Sequence, residues 1–574
     1  MGRERIGWVL ALVAVFAASA LGAPGSARAD HPAEVQNVDG LPVTRAAEPP
    51  LVATPRADCG PGSRPETGLQ GRVSADDHAS GRAAEGFTCN AEVVGSFTKP
   101  NAQGTVGGFK VERYVDASGR ECAYYDTTLL FPTNAPDATA GVNVLDMSNP
   151  ANPVLTDTLL TPAMLSPHES LVVNQKRGLI VAVAGNPGFL PGIVDVYDAS
   201  ADCRYPVLKS SSPVGVFGHE SGIAPDGRTF YSASPGTETI VAVDISNPSL
   251  PVPIWAGSYD SHGLSISDDG NRAYVAGALS GLIILDTSEV QARVPIPTVR
   301  EVSRLTWGSM SIPQNAIPIT IKGHPYVVEI DEYGSGSAVG AGRIIDIGDE
   351  ANPRVISNLR LEVHQPENFD AIGGDPGISP QQGYAGHYCS VPQRTDPTIV
   401  ACSMILSGLR VFDIRDPANP REIAYFNAPV TPRAVSDASN YAMSSPSFVP
   451  ERNEIWYTDG FSGFYAVRLT NGVWQSSGGC NTVRGTGKKD KLRGTPGDDC
   501  LQGRGGPDKV SGLAGNDALR GGRGRDRLRG GEGRDVIRAA RGSRDRIDCG
   551  PGRDTAYVDA SKDRWRHCEK VRRR

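Results

Sequence analysis

The sequence predicts an all-β protein: a seven-bladed β-propeller followed by a parallel β-roll. Three observations carry this. A strand ending in Asp and followed by a Pro-bearing turn recurs through the middle of the chain. A nine-residue Asp period runs from Asp490 to Asp554 with one ten-residue step. Gly 67 and Pro 44 in 574 residues favour turn-rich β structure over helix, and 39% hydrophobic residues are enough to bury cores. The expected division is an export signal over 1–29, a Pro- and Gly-rich linker over 30–89, the propeller over 90–475, and the roll with a disulfide cap over 480–574.

At the N-terminus, Arg3, Glu4 and Arg5 precede an apolar run from Ile6 to Ala23, and Ala27-Arg28-Ala29 offers a small-x-small cleavage pattern before Asp30. This predicts export with removal of the segment; the rival reading is a membrane anchor. No later apolar run is long enough to span a bilayer, so no membrane span is expected after signal removal. The ten cysteines fit an oxidising compartment. Neighbours suggest the pairs Cys59/Cys89, Cys389/Cys402, Cys480/Cys500 and Cys549/Cys568, leaving Cys122/Cys203, although sequence alone cannot fix connectivity. The absence of CxxC spacing argues against a zinc ribbon or a thioredoxin-type motif.

The net charge of −7 is uneven. From Cys480 onward there are 25 Lys and Arg against 14 Asp and Glu, a surplus of +11 that leaves −18 for the rest. A basic tail of this kind either meets an acidic partner or is a solvated face whose arginines pair with its own aspartates. Wall polymer, lipid headgroup or nucleic acid could each serve, with nucleic acid the least expected.

The blade motif recurs as GVNVLDMSNPANP (Gly141–Pro153), GIVDVYDAS (Gly192–Ser200), TIVAVDISNPSLP (Thr239–Pro251), GLIILDTS (Gly281–Ser288), GRIIDIGDEANP (Gly342–Pro353) and GLRVFDIRDPANP (Gly408–Pro420), with a degenerate seventh, GFYAVRLT (Gly463–Thr470). Successive aspartates lie 42 to 67 residues apart, the length of a four-stranded blade. The recurring Asp146, Asp198, Asp244, Asp286, Asp346 and Asp413 are read as turn formers that accept a backbone N–H two residues on. The last blade lacks a fourth strand after Trp474, and Ala91–Thr98 is expected to supply it and close the ring. On these motifs the region, about 385 residues, resembles the LVIVD-repeat family of bacterial propellers; the resemblance implies the fold and says almost nothing about chemistry.

In the tail, Asp490, Asp499, Asp508, Asp517, Asp526 and Asp535 are nine apart, followed by Asp545 and Asp554. An apolar residue sits two positions after each: Leu492, Leu501, Val510, Leu519, Leu528, Ile537, Ile547 and the weaker Ala556. Gly497, Gly506, Gly515, Gly524, Gly533 and Gly552 precede six of the aspartates by two. Such a pattern stacks its apolar residues inside a parallel β-roll, with glycine turns of positive φ and carboxylates offering the hard oxygens Ca²⁺ prefers. Gly521–Arg529 and Gly530–Arg538 match GGxGxDxUx in full, so the stretch resembles the hemolysin-type (RTX) calcium-binding repeat. The resemblance implies Ca²⁺ at Asp499, Asp508, Asp517, Asp526, Asp535 and Asp554 with Gly524 and Gly533. Arg525, Arg534 and Arg553 stand beside ligand aspartates and could pair with them instead. The roll is expected to end near Tyr557.

Nine histidines are few, yet His168, His219, His262 and His387 share one position, the start of a blade's first strand, and His364 follows a fourth strand. First strands line a propeller's channel, so these residues, with Glu169 and Glu220, are expected to converge at one mouth. Imidazoles and carboxylates converging are what a transition-metal site needs; the alternative is that they merely knit neighbouring blades. No catalytic residue is assigned: no HExxH occurs, and no GxSxG occurs in the propeller.

Two functions follow. One is a secreted Ca²⁺-binding protein whose propeller is a non-catalytic interaction scaffold for an extracellular or cell-surface partner, with the tail able to hold an acidic polymer. The other is a metal-dependent extracellular enzyme using the histidine mouth, by analogy with the selenium-binding protein/methanethiol oxidase family.

Overall fold

The computed structural model describes residues 43–45, 47–99, 107–127, 140–185, 192–335, 338–378, 383–430, 440–474, 481–494, 499–515, 517–533, 535–539 and 544–573. The expected export signal, Cys480, Gly497 and Arg534 lie outside them.

Seven four-stranded antiparallel blades follow one another at 111–159, 172–212, 222–258, 263–306, 312–359, 386–427 and 447–469. The seventh has three sequential strands, and Ala91–Phe97 pairs with Gly463–Leu469 as its outermost strand. This closure removes the free edges an open array would expose. Each third strand is the motif strand read from the sequence, from Val142–Asp146 to Gly463–Leu469. The six aspartates that end these strands each accept the backbone N–H two residues on, as from Ser148 to Asp146 at 2.9 Å and from Gly348 to Asp346 at 2.8 Å. The pairing of third with fourth strand slips by one residue in every blade, a bulge that deepens the twist.

A single sheet cannot bury both faces, and the apolar faces meet between blades. There is one hydrophobic core per interface; the core joining the seventh blade to the first holds Val111, Tyr125, Leu145, Trp456 and Phe464.

The stretch expected as a linker differs in its described part. Residues 47–89 are linker-like in composition but pack on blades five and six. Phe87–Cys89 adds a fifth strand to blade six by pairing with Arg421–Asn427. Arg72 pairs with Asp375 at 2.8 Å, and Glu66 with the buried Arg410 at 2.7 Å.

In the tail, successive nonapeptides alternate between two parallel sheets, so each strand pairs with the one two repeats on. In one sheet Leu492, Val510, Leu528, Ile547 and Trp565 stack in register. In the other, Val483, Leu501, Leu519, Ile537, Ala556 and Val571 do so. Together they form the roll's core. The roll therefore runs past Tyr557 through Arg564–Arg566 and Lys570–Arg573, because Asp563 and Trp565 continue the Asp-x-apolar period without its glycines. Cys549–Cys568 staples this end. Cys59–Cys89, Cys122–Cys203 and Cys389–Cys402 are also bonded, and Cys500 is in a disulfide whose partner lies outside the described residues.

Candidate functional site

Two constellations carry chemistry, one in the roll and one at the propeller's axis.

In the roll the aspartates line up as two buried columns, one against each sheet. One oxygen of each carboxylate is held: Asp508 Oδ1 accepts the N–H of Asp490 at 2.8 Å, Asp526 Oδ1 that of Asp508 at 2.9 Å, Asp545 Oδ1 that of Asp526 at 2.9 Å and Asp554 Oδ1 that of Asp535 at 2.8 Å. Asp517 and Asp535 accept likewise, from Asp499 and Asp517. The second oxygens of Asp508, Asp526, Asp545 and Asp554 are buried without a hydrogen-bond partner. Burying such an atom is costly unless something compensates it. Burial raises the pKa values of Asp508, Asp526 and Asp554, and lifts Asp545 to about 7 with a further push from Asp526 and Asp563. Gly524 and Gly533 turn the chain at φ +130° and +118°, where a Cβ would come within 2.1 and 2.2 Å of the Gly506 and Gly515 carbonyl oxygens, so only glycine fits. Among the described residues, Arg525 and Arg553 form no ion pair with these carboxylates, so the described arginines leave the columns uncompensated. Asp545, Asp563 and Glu569, the last accepting from Asp554 N at 2.8 Å, extend the expected set.

At the axis, His219, His262 and His387 each turn Nδ1 to a backbone carbonyl: His262 O at 3.2 Å, Pro313 O at 2.9 Å and Met443 O at 2.6 Å. In His262 and His387 this leaves Nε2 facing inward, the arrangement ligating histidines use. His387 Nε2 lies 3.3 Å from Glu169 and 3.2 Å from Glu332, and His262 Nε2 lies 3.3 Å from Glu332. His219 Nδ1 also meets Glu169 at 2.9 Å. The His168 ring stands edge-on to His219, centroids 4.6 Å apart, and His219 lies 4.3 Å from His262. His168, Glu169 and His219 offer ligand atoms all within 4.8 Å of one another. His168 and Glu169 have φ of +40° and +73°, a costly backbone for such side chains that the surrounding packing holds.

The electrostatics divide the imidazoles. Burial keeps His168 and His262 neutral, with pKa values lowered to about 3 and about 4. Burial opposes charge on His387 too, but hydrogen bonds to Glu169 and Glu332 outweigh it and raise the value to about 10. In His219, Glu169 likewise outweighs burial and raises the pKa.

Glu220 sits in an adjoining polar layer, held by Lys110 Nζ at 2.9 Å and Asn315 at 3.0 Å. Gln314 bridges Glu169 and Tyr388, and Phe109 packs on His168 and His387. His364 is not brought to the cluster: Nε2 meets Tyr384 O at 2.8 Å and Nδ1 accepts from Leu361 N at 3.0 Å, so both ring nitrogens serve backbone. Sequence reading missed Glu332, Gln314 and Lys110; the available signal was Glu329, Asp331 and Glu332 crowded into one apolar strand. A groove of about 570 Å³ lies elsewhere, between blades four and five, lined by Arg272, Tyr274, Pro325, Glu350 and Arg394.

Comparison with known proteins bears on both regions. Residues 137–161, 236–261 and 262–290 match the LVIVD repeat. Residues 477–510 and 511–545 match the RTX calcium-binding nonapeptide repeat. The chain carries LVIVD repeats and RTX repeats. No curated protein matches it over its sequence. Similar solved structures include hydrazine synthase of Kuenenia stuttgartiensis, at 18% identity and TM-score 0.34, covering 51% of this chain and 73% of that one. A protein of unknown function from Desulfotomaculum acetoxidans has 12% identity and TM-score 0.38, covering 57% and 86%. A protein from Lactobacillus plantarum has 12% identity and TM-score 0.37, covering 55% and 84%.

The RTX repeats imply calcium binding, and the residues present fit the ion. Unpartnered buried carboxylate oxygens recur in line, oxygen is the donor Ca²⁺ takes, and the ion would supply the countercharge these oxygens lack. Asp508, Asp526, Asp545 and Asp554 would hold it; their own part is to present one oxygen while the other is tied to the neighbouring coil. Among the described residues, no helix is long and apolar enough to cross a membrane.

Proposed function

We propose that the chain is a secreted protein whose RTX roll folds on meeting extracellular calcium and whose LVIVD propeller is a non-catalytic scaffold for a partner. The observation that carries this is the repeated buried carboxylate oxygen without a partner in the roll. Extracellular modules bind Ca²⁺ at about 10⁻⁴–10⁻³ M, a concentration the cytosol does not offer. The disulfides and the Ala27-Arg28-Ala29 pattern support the same compartment. On this reading the axial histidines and glutamates lock the blades through mutual ion pairs. The test is hydrogen exchange of the intact protein: protection across 481–573 that depends on millimolar calcium supports the reading, and protection indifferent to a chelator sinks it.

A second reading, a transition-metal centre at the axis serving an extracellular enzyme, is favoured by the inward Nε2 atoms of His262 and His387. Their 3.2–3.3 Å separations from carboxylate oxygens are long for charge-assisted hydrogen bonds, about 2.7–2.9 Å. They are about the ligand–ligand edge around a metal bonded at roughly 2.1 Å. Stoichiometric copper, zinc or iron that is lost on changing His219 and His262 to Ala, with the fold intact, would favour the enzyme; metal-free protein after growth with those metals would remove it.

A further inference from the structure

The two sheets of the roll come from alternate repeats of one nine-residue unit, yet their outer faces arrange their cations differently. The residue directly after each aspartate points outward. In one sheet this position holds Lys491, Lys509, Arg527, Arg546 and Arg564, paired strand to strand in a single register. All five are exposed, and among the described residues none makes a side-chain ion pair or hydrogen bond. In the other sheet the same column holds Cys500, Ala518, Val536 and Thr555 before ending on Lys570, and that sheet's arginines, Arg484, Arg520, Arg538 and Arg572, lie in the next column, interrupted by Gln502 and Tyr557. Beside the ladder runs a second column, Arg493, Ser511, Arg529, Asp548 and Arg566, where Arg566 pairs with Asp548.

Strands lie about 4.8 Å apart, so the ladder is five cations on a straight line at that spacing. Like charges directly opposite one another across strands destabilise a sheet. Solubility does not call for stacking them in one unbroken column, and protection of sheet edges does not explain cations on interior strands. The arrangement is complementary to a linear polyanion with a charge every 5 Å or so along an extended chain.

We propose that this sheet face docks an acidic polysaccharide carrying a carboxylate on each sugar, running along the roll axis with successive carboxylates over successive rungs. No aromatic side chain lies in the two outward columns to stack a base, as single-stranded nucleic acid binding requires. No apolar side chain accompanies the cations to enter a bilayer. The proposal rests on the calcium-folded roll proposed above, since only that fold lines up residues eighteen or nineteen apart.

The experiment is calorimetric titration of the calcium-loaded full chain with a short oligouronate, and with a neutral oligoglucan, across a salt series. The structure gives two matched variants, each removing three cations: Lys509→Gln/Arg527→Gln/Arg546→Gln on the ladder and Arg520→Gln/Arg538→Gln/Arg572→Gln on the opposite sheet. The wild type should bind the oligouronate and not the glucan, with log affinity falling linearly on log salt. The ladder variant should lose about tenfold or more in affinity at low salt and roughly three fifths of the salt slope, having lost three of five contacts. The opposite-sheet variant should match the wild type. Equal losses in both variants, a ladder variant that binds as before, or affinity without salt dependence would overturn the proposal. So would equal or tighter binding of oligo-dT or of phosphatidylserine vesicles. Calcium-dependent exchange protection is measured on each variant: where it persists, lost docking belongs to the ladder, and where the wild type itself lacks it, the calcium reading has failed first. Single variants Lys509→Gln and Arg527→Gln, each expected to remove about one fifth of the slope, serve if the triple variant does not fold.

Discussion

Withdrawing calcium should make the stability of the roll fall as pH rises. Asp508, Asp526 and Asp554 carry pKa values raised by burial, and Asp545 reaches about 7. In the unfolded chain all titrate near about 4. Between about pH 4 and 7 the folded roll therefore keeps protons that the unfolded chain has released. Stability is full below this window and drains away as pH climbs through it. Asp545 alone, moved from 3.8 to about 7, costs the metal-free fold on the order of 4 kcal/mol by about pH 8. Calcium at ten times its Kd adds about 1.4 kcal/mol per site. It also reverses the trend, because it needs ionised ligands. The assay is hydrogen exchange of peptides within 481–573 in the intact chain, with chelator or with calcium, at about pH 5 and pH 8, corrected for intrinsic rates. Propeller peptides serve as the internal reference. With chelator, protection should be present at the lower pH and lost at the higher; with calcium it should persist at both. A chelated roll as well protected at the higher pH as at the lower would refute the reasoning.

Other outcomes are expected from the same geometry. Leu519→Ala removes a side chain 1% exposed between Leu501 and Ile537, and should cost the calcium-loaded roll about 2–5 kcal/mol by denaturant titration of roll-specific exchange. Gly524→Ala meets both a φ of +130° and the Gly506 carbonyl, and should abolish the calcium-dependent protection of that turn while propeller exchange stays unchanged. Deleting residues 91–97 bares the edge of Gly463–Leu469, and should convert a monodisperse protein into self-associating species on size-exclusion chromatography. In metal-free protein, Glu332→Gln takes away one of the two carboxylates that hold His387 protonated, and NMR titration should find its pKa lower by about 1–3 units.

The propeller was legible because its signal is local. A third strand ending in Asp needs that residue for a turn two positions long, and the same bond forms in each of six blades. Ring closure was legible for a related reason: a blade short of one strand and an orphan strand of matching pattern have one sensible pairing. What escaped was long-range. Glu332 reaches His387 and His262 from the end of a second strand, whereas the histidines come from first-strand starts or the turns before them, and no spacing rule links those positions. Residues 47–89 read as a linker because Arg72, Glu66 and Arg56 find partners at Asp375, Arg410 and Glu362, some 300 positions away. Composition registers none of this.

The roll shows the intermediate case. Its nine-residue period is plain in the sequence, and the inward residues follow from it. Its charge asymmetry has a period of eighteen, because successive repeats feed opposite sheets. Read along the chain, Lys491, Cys500, Lys509, Ala518, Arg527, Val536, Arg546, Thr555 and Arg564 alternate cation with neutral residue and look like a diffuse basic tail. The fold sorts that alternation into an unbroken column of cations on one sheet, while the arginines of the other sheet, Arg484, Arg520, Arg538 and Arg572, stand in a column interrupted by Gln502 and Tyr557. Most of the surplus of +11 is a solvated coat spread over both faces, but five of the cations share one register and so form a row with a direction and a repeat, which is the feature the proposed docking uses.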